Sequence, residues 1–402
     1  TIGTEQKNAR RVAFHPRGHQ VALTYNDGGI HLFELARELD KLGALDSYYT
    51  AVPSFKVTGV TRARVATHPA ALLPHFALQL ARLQRFQSRI NWATTEAFDR
   101  WLSRRQAPCD VFHVASSYGL RAMRCAKASH GSWTVCDRGS SHIRTQDQLL
   151  REEVARSGVP APATDPRFIA KEEAEYEEAD AIFVPSTFAR QSFLDAGVEP
   201  RKVVAIPIGI RLEEFFPVPK RDDTFRVLCV ATISLRKGIG YLLEATSRLG
   251  LPNSEVVLRG TVLPESRGIL SPHAGQFKLQ PPLPRSGMRD LYSQASVLVL
   301  PSIEDGFGQV IVQAMACGVP VIATTNTGGP DVITDGKDGF IVPIRDAGAI
   351  ADRLEYLYRN PDARAQMGQA ALETVRAWNG WGRYTNQVLS TYHEGVSRRH
   401  AR

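Results

Sequence analysis

The sequence predicts an α/β protein built from two parallel-sheet domains in tandem. Three observations point there. The chain has 402 residues, too many for one ordinary core and enough for two units of about 150–200 residues each. Short, almost continuous apolar runs recur along both halves, as strands buried on both faces do. Helical stretches separate those runs, the alternation that joins parallel strands by crossovers.

The elements follow in order. Gln20–Tyr25 reads as the opening strand, Asn26-Asp27-Gly28-Gly29 as its turn, and a helical pattern continues through Leu42. Leu72 to Trp101 reads as one long helix, with Phe76, Leu80, Leu83, Phe86 and Ile90 on one side and Arg82, Arg85 and Arg89 on a separate stripe. That stripe is either a solvated face or a contact with anionic lipid. Val111–Ala115, Trp133–Cys136, Ala181–Val184 and Val203–Ile206 are the remaining strands of the first half. Phe216 to Asp223 is polar and proline-broken, so residues 1–216 are expected to form the first domain and 217–377 the second. Val227–Ala231, Glu255–Leu258, Val297–Leu300, Val319–Ala323 and Phe340–Val342 are the strands of the second half. Residues 378–402 are helical without a new strand and are expected to pack back on the first domain.

Composition narrows the function classes. Apolar residues at 43% and charged residues at 22% suit an ordinary globular protein. No run of about 18 apolar residues offers a membrane span, and no leader pattern opens the sequence. Five scattered cysteines, none in a C-x-x-C pair, argue against a disulfide framework or a zinc site and give the expectation of a cytoplasmic setting. The net charge of +8 is uneven: residues 62–127 hold eleven Lys and Arg against three Asp and Glu. No recognition motif accompanies that charge, so nucleic acid is not the expected partner. An anionic surface at the inner face of the cytoplasmic membrane, or a diphosphate-bearing acceptor, fits it.

The stretch richest in chemistry is Leu300-Pro301-Ser302-Ile303-Glu304-Asp305-Gly306-Phe307-Gly308-Gln309, continuing to Gln313-Ala314-Met315-Ala316-Cys317-Gly318-Val319-Pro320. A strand ends, a glycine turn follows, and a helix runs from about Gly308 to Ala316 before Gly318 stops it. A helix start therefore sits at the carboxyl edge of a parallel sheet, where α/β folds bind ligands. Its free N–H groups suit a diphosphate.

This stretch resembles the donor-binding signature of family 4 glycosyltransferases: an acidic residue, Gly-Phe-Gly, and a second acidic residue eight positions after the first. Val227–Ala245, Ala179–Phe193, Ile206–Pro217, Gly328-Gly329 and Asp335–Phe340 resemble other segments of that family in the right order. The resemblance implies a GT-B fold of two facing Rossmann-like domains and a nucleotide-sugar-dependent, retaining transferase that needs no metal or other cofactor. It places Asp305 on the donor sugar, with Glu304 beside it, and Gln313 where a ribose-binding acid is usual. The family's phosphate-binding Arg–Lys pair reads here as Thr232 and Lys237, with Arg236 adjacent. An amide at position 313 still hydrogen-bonds hydroxyls but loses charge-assisted strength.

Departure of a nucleoside diphosphate needs negative charge stabilised. Lys237 and the N–H groups around Gly306, Phe307 and Gly308 can supply that. Each residue also has a bland reading. Lys237 could be an ordinary surface lysine, Asp305 a helix cap, and Gln313 a polar helix face. On the acceptor side, Gly28 and Gly29 resemble the family's loop near the donor phosphate, although a tight turn needs glycine anyway. Asp137 and His142 close the next turn and are expected to orient the acceptor hydroxyl or the sugar, against a capping alternative. His113 points off the expected site on the pleat, where Ala115 stands instead, and reads as structural. The resemblance leaves the donor open among UDP-, GDP- and dTDP-sugars. The leading reading is synthesis of a bacterial surface polysaccharide or glycolipid on a lipid-linked acceptor. Alternatives are a soluble small-molecule acceptor, and a non-catalytic nucleotide-sugar-binding protein.

Overall fold

The computed structural model describes residues 20–25, 30–73, 87–378 and 380–401. Its first sheet contains β1 (Val21–Tyr25), β2 (Leu45–Thr50), β3 (Val65–Thr67), β4 (Val111–Ala115), β5 (Trp133–Asp137), β6 (Ala181–Val184) and β7 (Val203–Ala205), in the order β3-β2-β1-β4-β5-β6-β7. The second contains β8 (Phe225–Val230), β9 (Ser254–Arg259), β10 (Lys278–Gln280), β11 (Val297–Leu300), β12 (Val321–Thr324) and β13 (Gly339–Val342), in the order β10-β9-β8-β11-β12-β13. Every strand pairing is parallel. The chain is an α/β protein of two Rossmann-like sheets.

The central strands are wholly apolar or nearly so because helices cover both faces. Every residue of β4, β5, β6, β11 and β12 is buried. The order in which successive strands are added reverses between β1 and β4 in the first sheet, and between β8 and β11 in the second. These are the switch points outside which ligands bind in such sheets. The two switch points face one another across the seam between the sheets.

An apolar cluster runs from the first sheet into the second through Ile206, Ile208, Ile210 and Phe215. The last helix, Gly380–His400, returns to the first sheet, burying Tyr384, Val388, Tyr392 and Val396. A Cβ at Gly395 would collide with the Trp133 ring, so glycine there lets the helix lie close. Of the expected long helix, Gln87–Arg105 is described and runs beyond Trp101. Leu72 instead closes a 3-10 turn, Pro69–Leu72. Phe76, Leu80, Arg82, Leu83, Arg85 and Phe86 lie outside the described residues. Among the described residues no helix is long and apolar enough to cross a membrane.

Candidate functional site

The loop after β8 is pressed onto the loop after β11. Gly238 adopts a left-handed conformation (φ 61°), and a Cβ there would collide with the Pro301 carbonyl oxygen. The backbone of Ile303 donates to the Arg236 carbonyl at 2.9 Å. This apposition brings the short turn Leu235–Lys237 against residues 303–305. Lys237 Nζ forms a close ion pair with Asp305 Oδ2. Burial holds the Lys237 ammonium below its ordinary pKa, with Asp305 opposing that shift. Arg236 donates to the Glu304 carbonyl at 3.0 Å and to its Oε2 at 3.1 Å. Thr232 is exposed just beyond the end of β8.

The glycine turn leads into the helix Gln309–Ala316. Gly308 is left-handed (φ 76°), and no side chain caps the helix start. Its first N–H groups therefore lack capping side-chain partners at the carboxyl edge of β11. Phe307 is buried: its ring lies where a Cβ on Gly328 would fall, and its carbonyl accepts the Gly328 N–H at 2.8 Å. Gln313 Oε1 accepts the hydroxyl of buried Tyr292 at 2.7 Å.

Across the seam, β5 ends in Asp137. Its Oδ1 meets His31 Nε2 at 2.9 Å and its Oδ2 meets His113 Nε2 at 3.1 Å. Burial works to raise the Asp137 carboxyl, but His31 and His113 outweigh it and hold the group well below the usual range. His113 Nδ1 in turn lies 2.5 Å from the Tyr392 hydroxyl of the last helix. Gly306 abuts this region: a Cβ on it would collide with the Gly139 carbonyl oxygen. Among the described residues no group of three or more His, Cys, Asp or Glu is placed to hold a metal ion.

The family model for Glycosyltransferase Family 4 matches residues 28–214, and that for Glycosyl transferases group 1 matches residues 210–374. The chain belongs to family 4 of the glycosyltransferases. It is 29% identical to a D-inositol 3-phosphate glycosyltransferase of Kribbella flavida, over 92% of this chain and 91% of that one. A relative of the same name from Streptomyces bingchenggensis is 24% identical over 98% and 91%. Among solved structures, a sucrose-phosphate synthase from Thermosynechococcus elongatus superposes with a TM-score of 0.72 at 20% identity, covering 94% of this chain and all of that one. Anabaena HepE, solved with UDP and glucose, superposes at 0.63 and 16% identity, over 94% and 100%. These structures share the GT-B fold.

In this glycosyltransferase, Lys237, Asp305 and the turn Gly306–Gly308 come together at one sheet edge. Arg236 joins them, because both neighbouring cations reach the same turn, each to a different carboxylate. Two expectations need correcting. Glu304 is fully buried and turned to the first domain, where it accepts from Ser140 Oγ at 2.6 Å, Ser141 N at 3.1 Å, Ser141 Oγ at 2.9 Å and Gln146 Nε2 at 2.9 Å. Burial alone would raise its carboxyl; Arg236 and these donors hold it at about 2. Its oxygens serve the seam and are not turned to a ligand. The His142 ring also turns away, packing on Tyr176 and Phe193 while its Nδ1 caps the helix Ile143–Ser157. The Phe307 side chain is core, leaving only its backbone at the turn. Gly28 and Gly29 lie outside the described residues. Sequence reading missed His31, whose partner Asp137 stands 106 positions away. Only a candidate acid at the end of β5 hinted that a partner was needed.

Proposed function

We propose that the enzyme transfers a sugar from a uridine diphosphate sugar to an acceptor hydroxyl with retention of anomeric configuration. The observation that carries the donor half is the buried Lys237 ammonium beside Asp305, next to the uncapped helix start at Gly308. A cation and a set of N–H groups converging at a sheet's carboxyl edge suit a leaving diphosphate, and they need no metal to do so. Asp305 then holds a donor-sugar hydroxyl. Gln313, with Oε1 engaged by Tyr292, keeps its amide N–H groups for the ribose. Arg236 and Thr232 flank the phosphates. Uridine is preferred over other bases because the fold-mate Anabaena HepE was solved with UDP. Retention rests on the family signature.

Two acceptor readings have support. A soluble phosphorylated polyol is favoured by the name that the relatives share, D-inositol 3-phosphate glycosyltransferase. A lipid-linked acceptor, in polysaccharide or glycolipid synthesis at a membrane face, is favoured by exposed Arg89, Arg100, Arg104 and Arg105 on the helix Gln87–Arg105. Flotation with vesicles containing phosphatidylglycerol separates them: retention of the protein by those vesicles but not by neutral ones is expected only for the second.

A thermal-shift series with UDP, GDP and dTDP tests the donor reading. UDP is expected to raise Tm, since a ligand that binds only the folded state stabilises it. No shift with any of the three would remove the donor assignment.

A further inference from the structure

The edge of the first sheet that faces away from the seam carries a cavity of its own. β5 begins at Trp133 and ends at Asp137, and its two ends stand about 13 Å apart by the rise of a strand. The Asp137 end meets the seam. The Trp133 end opens, with Ala181 at the start of β6 and Lys202 just before β7, on a cavity of about 600 Å³. The last turns of the helix Gly380–His400 wall it on one side. A volume of this size suits a small organic ligand.

The cations lining this cavity are paired among the described residues, with one exception. Lys127 faces Asp180 at 3.2 Å, and Arg399 reaches the same carboxylate at 3.4 Å. Arg201 pairs with Glu199, and Arg398 with Glu394 of its own helix. Lys202 has no carboxylate within ion-pairing distance among the described residues. Its Nζ donates to the Glu177 carbonyl at 2.7 Å, which uses one of the three donors of an ammonium. Asp180 is already committed, accepting Thr134 N at 2.8 Å and Thr134 Oγ1 at 3.0 Å besides its cations. Lys202 is half-buried, and burial together with the neighbouring Lys127 charge holds its ammonium below the ordinary lysine pKa. A cation taken partly out of water beside a like charge is costly, and a bound anion relieves that cost. The wall next to these ammonium groups is apolar, formed by Trp133, Ala181 and Val204.

We propose that this cavity binds a small soluble phosphomonoester, with its phosphate at Lys202 and Lys127 and its organic body against Trp133 and Val204. A dianion answers two ammonium groups that repel one another, where a single carboxylate answers one. The site is separate from the donor reading above, because it lies at the opposite edge of the first sheet from the seam.

Isothermal titration of the full chain tests this, with phenyl phosphate as the probe and phenol as its uncharged counterpart. Phenyl phosphate is expected to bind one site per chain with saturating UDP present, and phenol to bind far more weakly. Lys202→Gln should weaken phenyl phosphate by about ten- to a hundredfold, the loss of a charge-assisted bond. The same variant should keep its UDP affinity and its Tm without ligand, since Lys202 holds no carboxylate in the fold. Lys237→Ala should leave phenyl phosphate binding unchanged. No binding of phenyl phosphate up to about 10 mM, or equal affinity in wild type and Lys202→Gln, would overturn the proposal. So would phenol binding as tightly as phenyl phosphate, because the charge would then play no part. Displacement of phenyl phosphate by UDP, or its loss in Lys237→Ala, would place the probe at the seam and overturn it as well.

Discussion

At the scale of single residues, the site turns on the pairing of Lys237 with Asp305. Both residues were legible through the family resemblance, Asp305 beside a glycine turn after an apolar run and Lys237 at the place of the family's phosphate-binding lysine. Their contact was not legible, because it depends on Gly238 letting one loop lie on the carbonyl of Pro301. Lys237 is buried and carries a lowered pKa, so its charge survives through its partner and, in the proposed function, through the donor phosphates. Lys237→Ala should therefore cost about a hundred- to a thousandfold in turnover and abolish the UDP-dependent rise in Tm. It should also lower stability by about 1–3 kcal/mol, since the Asp305 carboxylate loses its partner. Lys237→Met separates the two effects: it keeps the packing of the aliphatic stem but not the charge. A Met variant with wild-type turnover would show that the ammonium is not used.

At the scale of elements, the strands that sequence reading found are those buried on both faces, such as β6 and β11, whose apolar runs are uninterrupted. The strands it missed are peripheral. In β2, Asp46 and Ser47 interrupt the run, while β3 and β10 are three residues long with no fully buried position. Such strands are specified by the neighbour they pair with more than by their own composition. Glycine punctuation was legible, and its causes differ between sites. Gly131 and Gly308 are both left-handed, at φ 65° and 76°. A Cβ on Gly131 meets nothing within 4 Å, whereas one on Gly308 runs into Leu300 Cδ2. Gly131→Ala should thus cost only the left-handed penalty of about 1–2 kcal/mol. Gly308→Ala should cost about 1 kcal/mol more as Leu300 is displaced, measured by urea denaturation. Equal losses would mean that backbone conformation alone demands glycine at the turn.

At the scale of the whole molecule, polar contacts that no local pattern announces add to the apolar cluster joining the two sheets. Arg345 of the second domain bonds Glu153 at 3.0 Å and Glu152 at 2.9 Å in the first, and Tyr241 adds a bond to Glu153 at 3.0 Å. Glu304 is the most enclosed of these links, its carboxylate receiving Ser140, Ser141 and Gln146 from across the seam and Arg236 from its own side. A family signature places an acid near this position for the donor, and so sequence reading drew Glu304 toward the ligand. Its partners, more than 150 positions away, are visible only in the fold. The link has a thermodynamic signature. The carboxyl sits at about 2 in the folded chain against 4.5 when unperturbed, so the folded state favours the ionised form. Its contribution is complete above about pH 4.5 and is lost as the pH falls toward 2. By linkage the difference amounts to about 3 kcal/mol. Glu304→Gln removes the titration and leaves an amide among donors that expect two acceptors. Denaturation followed from pH 6 down to pH 2 should show the wild type losing that increment across the window and the variant losing less by the same amount. X-ray scattering should show the radius of gyration rising in the variant at neutral pH as the seam loosens. Parallel pH profiles with an unchanged radius would mean that the sheets are held together without this carboxylate.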